Sequence, residues 1–396
     1  MKKRLIKIFI IELIIVSLLF LIILNKEFKF TNETVPSMDS VMDDININSI
    51  DASNDDTSNI NSDIDNDIEH KIDSNINKGE NEKDIVYERI RDGLLEGKDI
   101  IKVDDKILGE NREDFFDIVE EVLLDNPEIM YYTSGKYSNN TFYPSYNMSI
   151  KEKQLQQKAI REKRDYIIHE IIDENMSQYE KIKAVHDYII KNTKYDTRHF
   201  SSEKIPNESY TVYGVLFEGI AVCEGYAKTM KYLLDEVGIE TKIVIGRGNG
   251  ENHAWNIVNI HGDYYHIDAT WDDPTTEDGT NILIYDYFNL MDSEIEKTHS
   301  WDRDKYPLCN SNKYNYYYYN GLVIDNYAEF YGKIVDALIN DRSEISLKVL
   351  NYDEEHYNIS TTMDKIAINN SSIINISRYA YSINSNQNIV KIYFYK

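Results

Sequence analysis

Three residues could form a nucleophilic site. Cys223 falls where a loop enters a helix, His253 begins an apparent strand in Asn252–Ile260, and Asp268 ends the next, in Tyr264–Trp271. A thiol, an imidazole and a carboxylate in this order are the parts of a cysteine nucleophile site. The thiolate attacks a carbonyl carbon, the imidazole takes and returns a proton, and the carboxylate orients the ring.

Local pattern places each part. From Cys223, apolar residues recur as Tyr226/Ala227, Met230, Leu233/Leu234 and Val237, one buried helix face, and Gly238 ends it in a left-handed conformation. Gly214 and Gly219 loosen the approach. Cys223 is therefore expected at the helix N-terminus, where unpaired N–H groups and the dipole favour the thiolate. Glu240–Gly246 reads as a strand and 247–250 as a flexible connection delivering His253. The segments of His253 and Asp268 flank a tight turn near His261-Gly262-Asp263. An even number of loop residues puts His253 and Asp268 on one face; an odd number without a bulge separates them. His266 shares the Asp268 face and is the rival base, with His253 preferred on the loop argument.

Other candidates have plainer readings. Cys309 reads as a structural or idle thiol, and a bridge to Cys223 would abolish the chemistry. No cysteine pair has zinc-ribbon spacing. His186 reads as a helix histidine held by packing or a hydrogen bond, while His169 and His199 have no evident sequence partner. Metal binding by Cys223, His253 and Asp268 is chemically conceivable, but the pattern favours catalysis. Asp272-Asp273 and Glu277-Asp278 match no calcium loop, so no metal and no cofactor is expected.

The stretch 182–274 resembles the transglutaminase-like superfamily, whose core is related to papain-like thiol enzymes. The resemblance rests on Tyr213-Gly-Val-Leu216, Ala221-Val-Cys-Glu-Gly-Tyr-Ala227, Gly238-Ile239, Asn252-His-Ala-Trp-Asn256 and His266-Ile-Asp-Ala-Thr-Trp-Asp272. It implies an α+β fold in which a Cys-bearing helix packs on an antiparallel sheet carrying His and Asp, with α+β flanks. It also implies Cys223 as nucleophile, His253 as base and acid, and Asp268 as orienting carboxylate, passing an acyl group from a protein amide to an amine or water. One departure stands out. Papain-like proteases place a Gln shortly before the cysteine, and 209–222 contains none. The Cys223 N–H remains as oxyanion donor, with the hydroxyl of Tyr210 or Tyr213 as second candidate. Trp255 and Trp271 are candidates for the substrate site or, equally, core aromatics.

The 396 residues carry 43 Lys+Arg against 69 Asp+Glu, a net charge of −26. That balance argues against a nucleic-acid partner. Residues 1–30 combine a basic start with an apolar run and read as a signal-anchor, the competing reading being a cleaved signal that yields a secreted protein. Residues 31–83 read as an acidic disordered tether. An α+β region is expected over 84–178, the catalytic core over 179–300 and a small α+β extension over 301–396. Within the flanks, helices are expected near 115–124, 149–174, 178–192 and 327–339, and strands near 130–133, 141–146, 345–350 and 389–395. The tyrosine run 314–319 reads as aromatic packing, with a carbohydrate or peptide platform as the alternative.

The expectation is a bacterial, single-pass, membrane-anchored cell-surface enzyme with its C-terminal domain extracytoplasmic. It would act on protein or peptide amides at the cell envelope through a Cys thioester. The alternative is a weak or inactive surface binding module on the same scaffold.

Overall fold

The computed structural model describes residues 83–103, 113–200, 204–275, 282–370 and 376–395. They divide into two compact units. One holds 293–298 and 312–395, the other the remainder.

The larger unit begins with a helix over 83–96. Val86, Ile90 and Leu94 recur at one helical face and meet Phe115, Ile118, Val119 and Val122 of the helix Glu113–Asp125. Both cover a three-stranded sheet of order β1-β3-β2: β1 is Ile101–Lys102, β2 Tyr132–Ser138 and β3 Thr141–Tyr146. Two longer helices follow, Ile150–Ile171 and Gln178–Asn192. Each starts with a capping box, Ser149/Glu152 and Ser177/Glu180, which satisfies otherwise unpaired N-terminal amides.

The centre is a second sheet of order β8-β7-β6-β9, comprising β6 (Thr241–Gly248), β7 (Glu251–Ile260), β8 (Asp263–Ile267) and β9 (His299–Trp301). All its pairings are antiparallel. The helix Cys223–Glu236 packs against it through Ala227, which clusters with Ile243 and Ala254. Asn256 Nδ2 donates to the Ala227 carbonyl at 2.9 Å and pins helix to strand. Met230, Leu233 and Leu234 are fully buried on the expected face, each worth about 1.5–3 kcal/mol of apolar burial. Gly238 follows at φ 77°.

The 247–250 connection expected to be flexible is half strand and half tight turn. β6 runs to Gly248, and Asn249-Gly250, both at positive φ, closes a two-residue hairpin into β7. His261-Gly262 closes the next hairpin in the same way, pairing Asn256 with Ile267. The strand β8 runs up to Asp268. It stops at Ile267 because the Asp268 carboxylate accepts the amides of Thr270 (3.0 Å) and Trp271 (3.2 Å), turning the chain.

In the smaller unit, β10 (Val323–Ile324), β11 (Glu344–Val349), β12 (Arg378–Asn384) and β13 (Ile389–Tyr395) form a sheet of order β10-β11-β13-β12. Phe330 and Ile334 of helix Tyr327–Ile339, with Met363 and Ile366 of helix Ile359–Asn369, bury against Leu347, Val390 and Ile392. Of the tyrosine run, Tyr317 is buried.

The expectation of a membrane-anchored bacterial surface protein at the cell membrane is corrected. No helix among the described residues is long and apolar enough to cross a membrane. The 22-residue helix Ile150–Ile171 has the length, but its Lys, Arg and Glu residues would be costly in hydrocarbon. The proposed anchor (1–30) and nearly all of the tether (31–83) lie outside the described residues. Neither the membrane location nor its secreted alternative enters the functional reading.

Candidate active site

Cys223 is the first residue of its helix, and no side chain caps that first turn. The cap residue, Val222, is held in place by donating its amide to the Ser209 carbonyl at 2.9 Å. Gly225, one residue past Glu224, permits the close approach: a Cβ there would lie 2.6 Å from that same Ser209 oxygen. Local sequence thus sets an open helix end against the 207–211 turn. Cys223 is 5% exposed.

His253 and Asp268 meet as the even loop requires. His253 Nε2 donates to Asp268 Oδ2 at 2.7 Å, and both side chains are buried. Nδ1 of His253 is buried and makes no hydrogen bond. Because Nε2 is committed to Asp268, Nδ1 is the nitrogen left for Cys223, whose sulfur is too far or too poorly aligned for a formed hydrogen bond yet near enough to act on the ring. Burial disfavours the imidazolium, but Asp268 and Cys223 outweigh it and raise the ring's pKa to about 10. Burial likewise opposes the Asp268 charge, yet His253 and then His299 hold that carboxyl well below the usual carboxylate range.

Sequence pattern does not single out His299. It lies on β9, paired with Gly248 of β6, and its Nε2 reaches Asp268 Oδ2 at 3.1 Å. A three-residue strand paired with a distant part of the chain leaves no periodic signal. Burial lowers the His299 pKa to about 4 despite Asp268, so the ring is neutral at physiological pH.

The rival base is engaged elsewhere. His266 Nε2 donates to Asp292 Oδ1 at 2.8 Å, and its Nδ1 accepts the Trp255 indole N–H at 2.9 Å. Trp255 stacks near His253, with centroids 5.8 Å apart and planes 19° apart. Trp271 lies 5.9 Å from His253 and 4.4 Å from His299, and its indole N–H is buried without a hydrogen-bond partner. A Cβ on Gly248 would come within 3.2 Å of the His253 ring and 3.1 Å of Trp271, so glycine leaves both room.

The two oxyanion candidates part company. Tyr213 stacks on Phe217 at 4.7 Å, whereas Tyr210 lies near a tyrosine without a sequence signal of its own, Tyr195. The short strand β4 (Lys194–Tyr195) pairs in parallel with β5 (Ile220–Ala221), setting Tyr195 opposite Ala221, two residues before Cys223. Burial, then the charges of Cys223, Tyr210, Asp196 and Asp268, push its hydroxyl well above the ordinary tyrosine range, keeping it a donor.

His186 is a packed helix histidine, as expected. It sits between Asp187 (Nδ1, 3.3 Å) and Asp272 (Nε2, 3.1 Å) and ties its helix to the turn after Asp268. Both cysteines are free and buried. Burial, followed by the Asp292 charge, pushes the Cys309 thiol far up.

Two buried sets have donor atoms within 4.8 Å of one another: His253/Asp268/His299 and His266/Asp292/Cys309. Protons already occupy both. Asp268 accepts four hydrogen bonds, two per oxygen. A cation on His266 Nε2 would drive a proton to Nδ1, against the Trp255 N–H. The chemistry of these sets favours hydrogen-bond networks over metal coordination.

Residues 165–269, which include all three of Cys223, His253 and Asp268, match the model of the Transglutaminase-like superfamily. The α+β arrangement, a cysteine-bearing helix against a sheet carrying histidine, fits a transglutaminase-like, papain-like core. The chain is 21% identical to the mouse (Mus musculus) kyphoscoliosis peptidase over 183 residues, 42% of this chain and 27% of that protein. It thus spans about a quarter of that relative's length. A solved structure described as a TGase is 18% identical, with a TM-score of 0.25, over 35% of this chain and 44% of that one. A score that low carries no argument. At the coarse level, the chain has a thiol-enzyme-like core with a candidate Cys/His/Asp cluster.

Proposed function

We propose that the chain performs thiol-dependent acyl transfer on protein or peptide amides. The observation that carries this reading is the buried His253–Asp268 pair at 2.7 Å, with His253 Nδ1 left unbonded on the Cys223 side. Cys223 Sγ attacks the amide carbon, and the carbon–nitrogen bond breaks as His253 gives its proton to the departing ammonia or amine. An amine or water then attacks the thioester, returning the proton to His253. The Cys223 N–H and the Tyr195 hydroxyl are the proposed oxyanion donors, in place of the Tyr210 and Tyr213 hydroxyls. The test is release of ammonia or peptide fragments from a broad peptide set by the full chain and by Cys223→Ala. Loss of all product in the variant supports the reading; equal product from both sinks it.

The second reading is a weak or inactive binding module on the same scaffold. It asks only for the fold, and the 5% exposure of Cys223 with no side-chain amide in 209–222 to receive an oxyanion favours it. A protein or peptide partner retained equally by the wild type and Cys223→Ala, without turnover, would decide for it.

A further inference from the structure

His253 and His299 converge on one atom. Asp268 is ionised and has no proton to give, so both Nε2 atoms at its Oδ2, 2.7 and 3.1 Å away, must carry protons and donate. The other oxygen, Oδ1, takes the amides of Thr270 and Trp271. Those backbone bonds already fix the carboxylate plane, so His299 is not needed to aim Asp268. What it adds is a second donor on the very oxygen that polarises His253. β9 brings it there, with Ser300 opposite Arg247 and His299 opposite Gly248 of β6.

We propose that His299 is a positioning residue that moderates the basicity of His253 by sharing Asp268 Oδ2. The proposal rests on the acyl-transfer reading for its functional meaning. A carboxylate whose charge is divided between two donors holds the imidazolium less tightly. The His253 proton must leave for the departing amine, and an unshared Asp268 would retain it on the ring.

Aromatic rings pack around His299. The rings of Trp255 (4.9 Å), Trp271 (4.4 Å), Tyr287 (5.7 Å) and His253 (5.3 Å) surround it. Asp268, His253 and His266 act on its charge. Its neutrality is set by that apolar cage, and neutrality makes it a fixed donor rather than a second cation.

The test is an NMR titration of the His253 ring in the full chain, with histidine-selective ring labelling and His253→Gln to assign the signal. His299→Phe keeps an aromatic ring and removes the donor; His299→Gln keeps a donor. The expected result is an upward move of the His253 titration by about one pH unit in His299→Phe, the scale of one lost hydrogen bond to a charged group. His299→Gln should stay near wild type. An unchanged or lowered titration in folded His299→Phe overturns the proposal. Should His299→Phe not fold, His299→Gln and His299→Leu decide it, because only loss of the donor should move His253. The readout needs no turnover, so an inactive protein with a shifted His253 would refute the acyl-transfer reading and leave the Asp268 sharing intact.

Discussion

Trp255 donates its indole N–H to His266 Nδ1 at 2.9 Å, and this one bond separates the two histidines that compete for the base. It fixes the His266 proton on Nε2, facing Asp292, and leaves Asp268 to His253 and His299. Trp255 then lies between the two networks, bonded to one imidazole and stacked near the other.

Trp255→Phe should therefore cost stability beyond its lost area. It leaves a buried acceptor on His266 unpaired, worth about 1–3 kcal/mol. Urea denaturation measures this, and Trp255→Phe/His266→Phe should recover part of the loss. A Trp255→Phe protein as stable as wild type would show that the bond is unimportant.

Gly246 and Gly248 predict a graded pair. A Cβ at Gly246 would lie 2.4 Å from the Ser300 carbonyl, backbone that cannot move without freeing β9. A Cβ at Gly248 meets side-chain atoms of His253 and Trp271 at 3.1–3.3 Å. Gly246→Ala is expected to destabilise the fold by about 1–3 kcal/mol, as overpacking does. Gly248→Ala should cost less stability and slow Cys223 modification. Thermal melts and alkylation rates on both variants separate the two effects.

Stability should peak in mild acid. His253 is raised to about 10 by Asp268 and Cys223 against burial, and carboxylates Asp187 and Asp272 raise His186 against burial. Burial lifts Asp272 to about 7. A raised folded pKa means extra protons bound in the native state. His253 and His186 therefore contribute stability fully present below the unfolded value of about 6.5 and lost as pH rises, for His253 through about 10. The Asp272 contribution is likewise lost between about 3.9 and 7. Asp268 and Asp187 are depressed, each mainly by its histidine against burial, so their contribution is lost as pH falls below about 3.9. His299, lowered to about 4 by burial, works the other way and costs stability as pH falls below about 6.5, so melting temperature measured from pH 3 to 10 should pass through a maximum near about pH 5–6.5 and fall on both sides. His253→Gln should flatten that alkaline fall.

Tyr195→Phe isolates the oxyanion assignment. Removing one such donor slows acyl transfer by about 100- to 1000-fold. Alkylation of Cys223, which develops no oxyanion, should change little. Tyr210→Phe and Tyr213→Phe should leave turnover within a few-fold of wild type.

Much of the core was legible because it depends on local rules. The apolar recurrence after Cys223, Gly238 at the helix end and the even His261-Gly262 loop together forecast the helix and the shared face of His253 and Asp268. What escaped depends on distant pairing. Tyr195 and His299 sit on strands of two and three residues, too short to show alternation, and each is positioned by a strand elsewhere in the chain. The end of β8 is also local: the Asp268 side chain takes over the amides that would have continued the ladder.

The central claim is that His253 activates Cys223. The most direct measurement is the rate of Cys223 modification by iodoacetamide at pH 6 in the full chain, with His253→Ala beside it and Cys309 as internal control. The account predicts fast modification of Cys223, near silence at Cys309, and a fall of about tenfold or more in His253→Ala, since the thiolate is the reacting form. The variant removes bulk and so opens access to the thiol, which makes a fall the more telling. An equal or faster rate in His253→Ala would contradict the account and leave the binding-module reading.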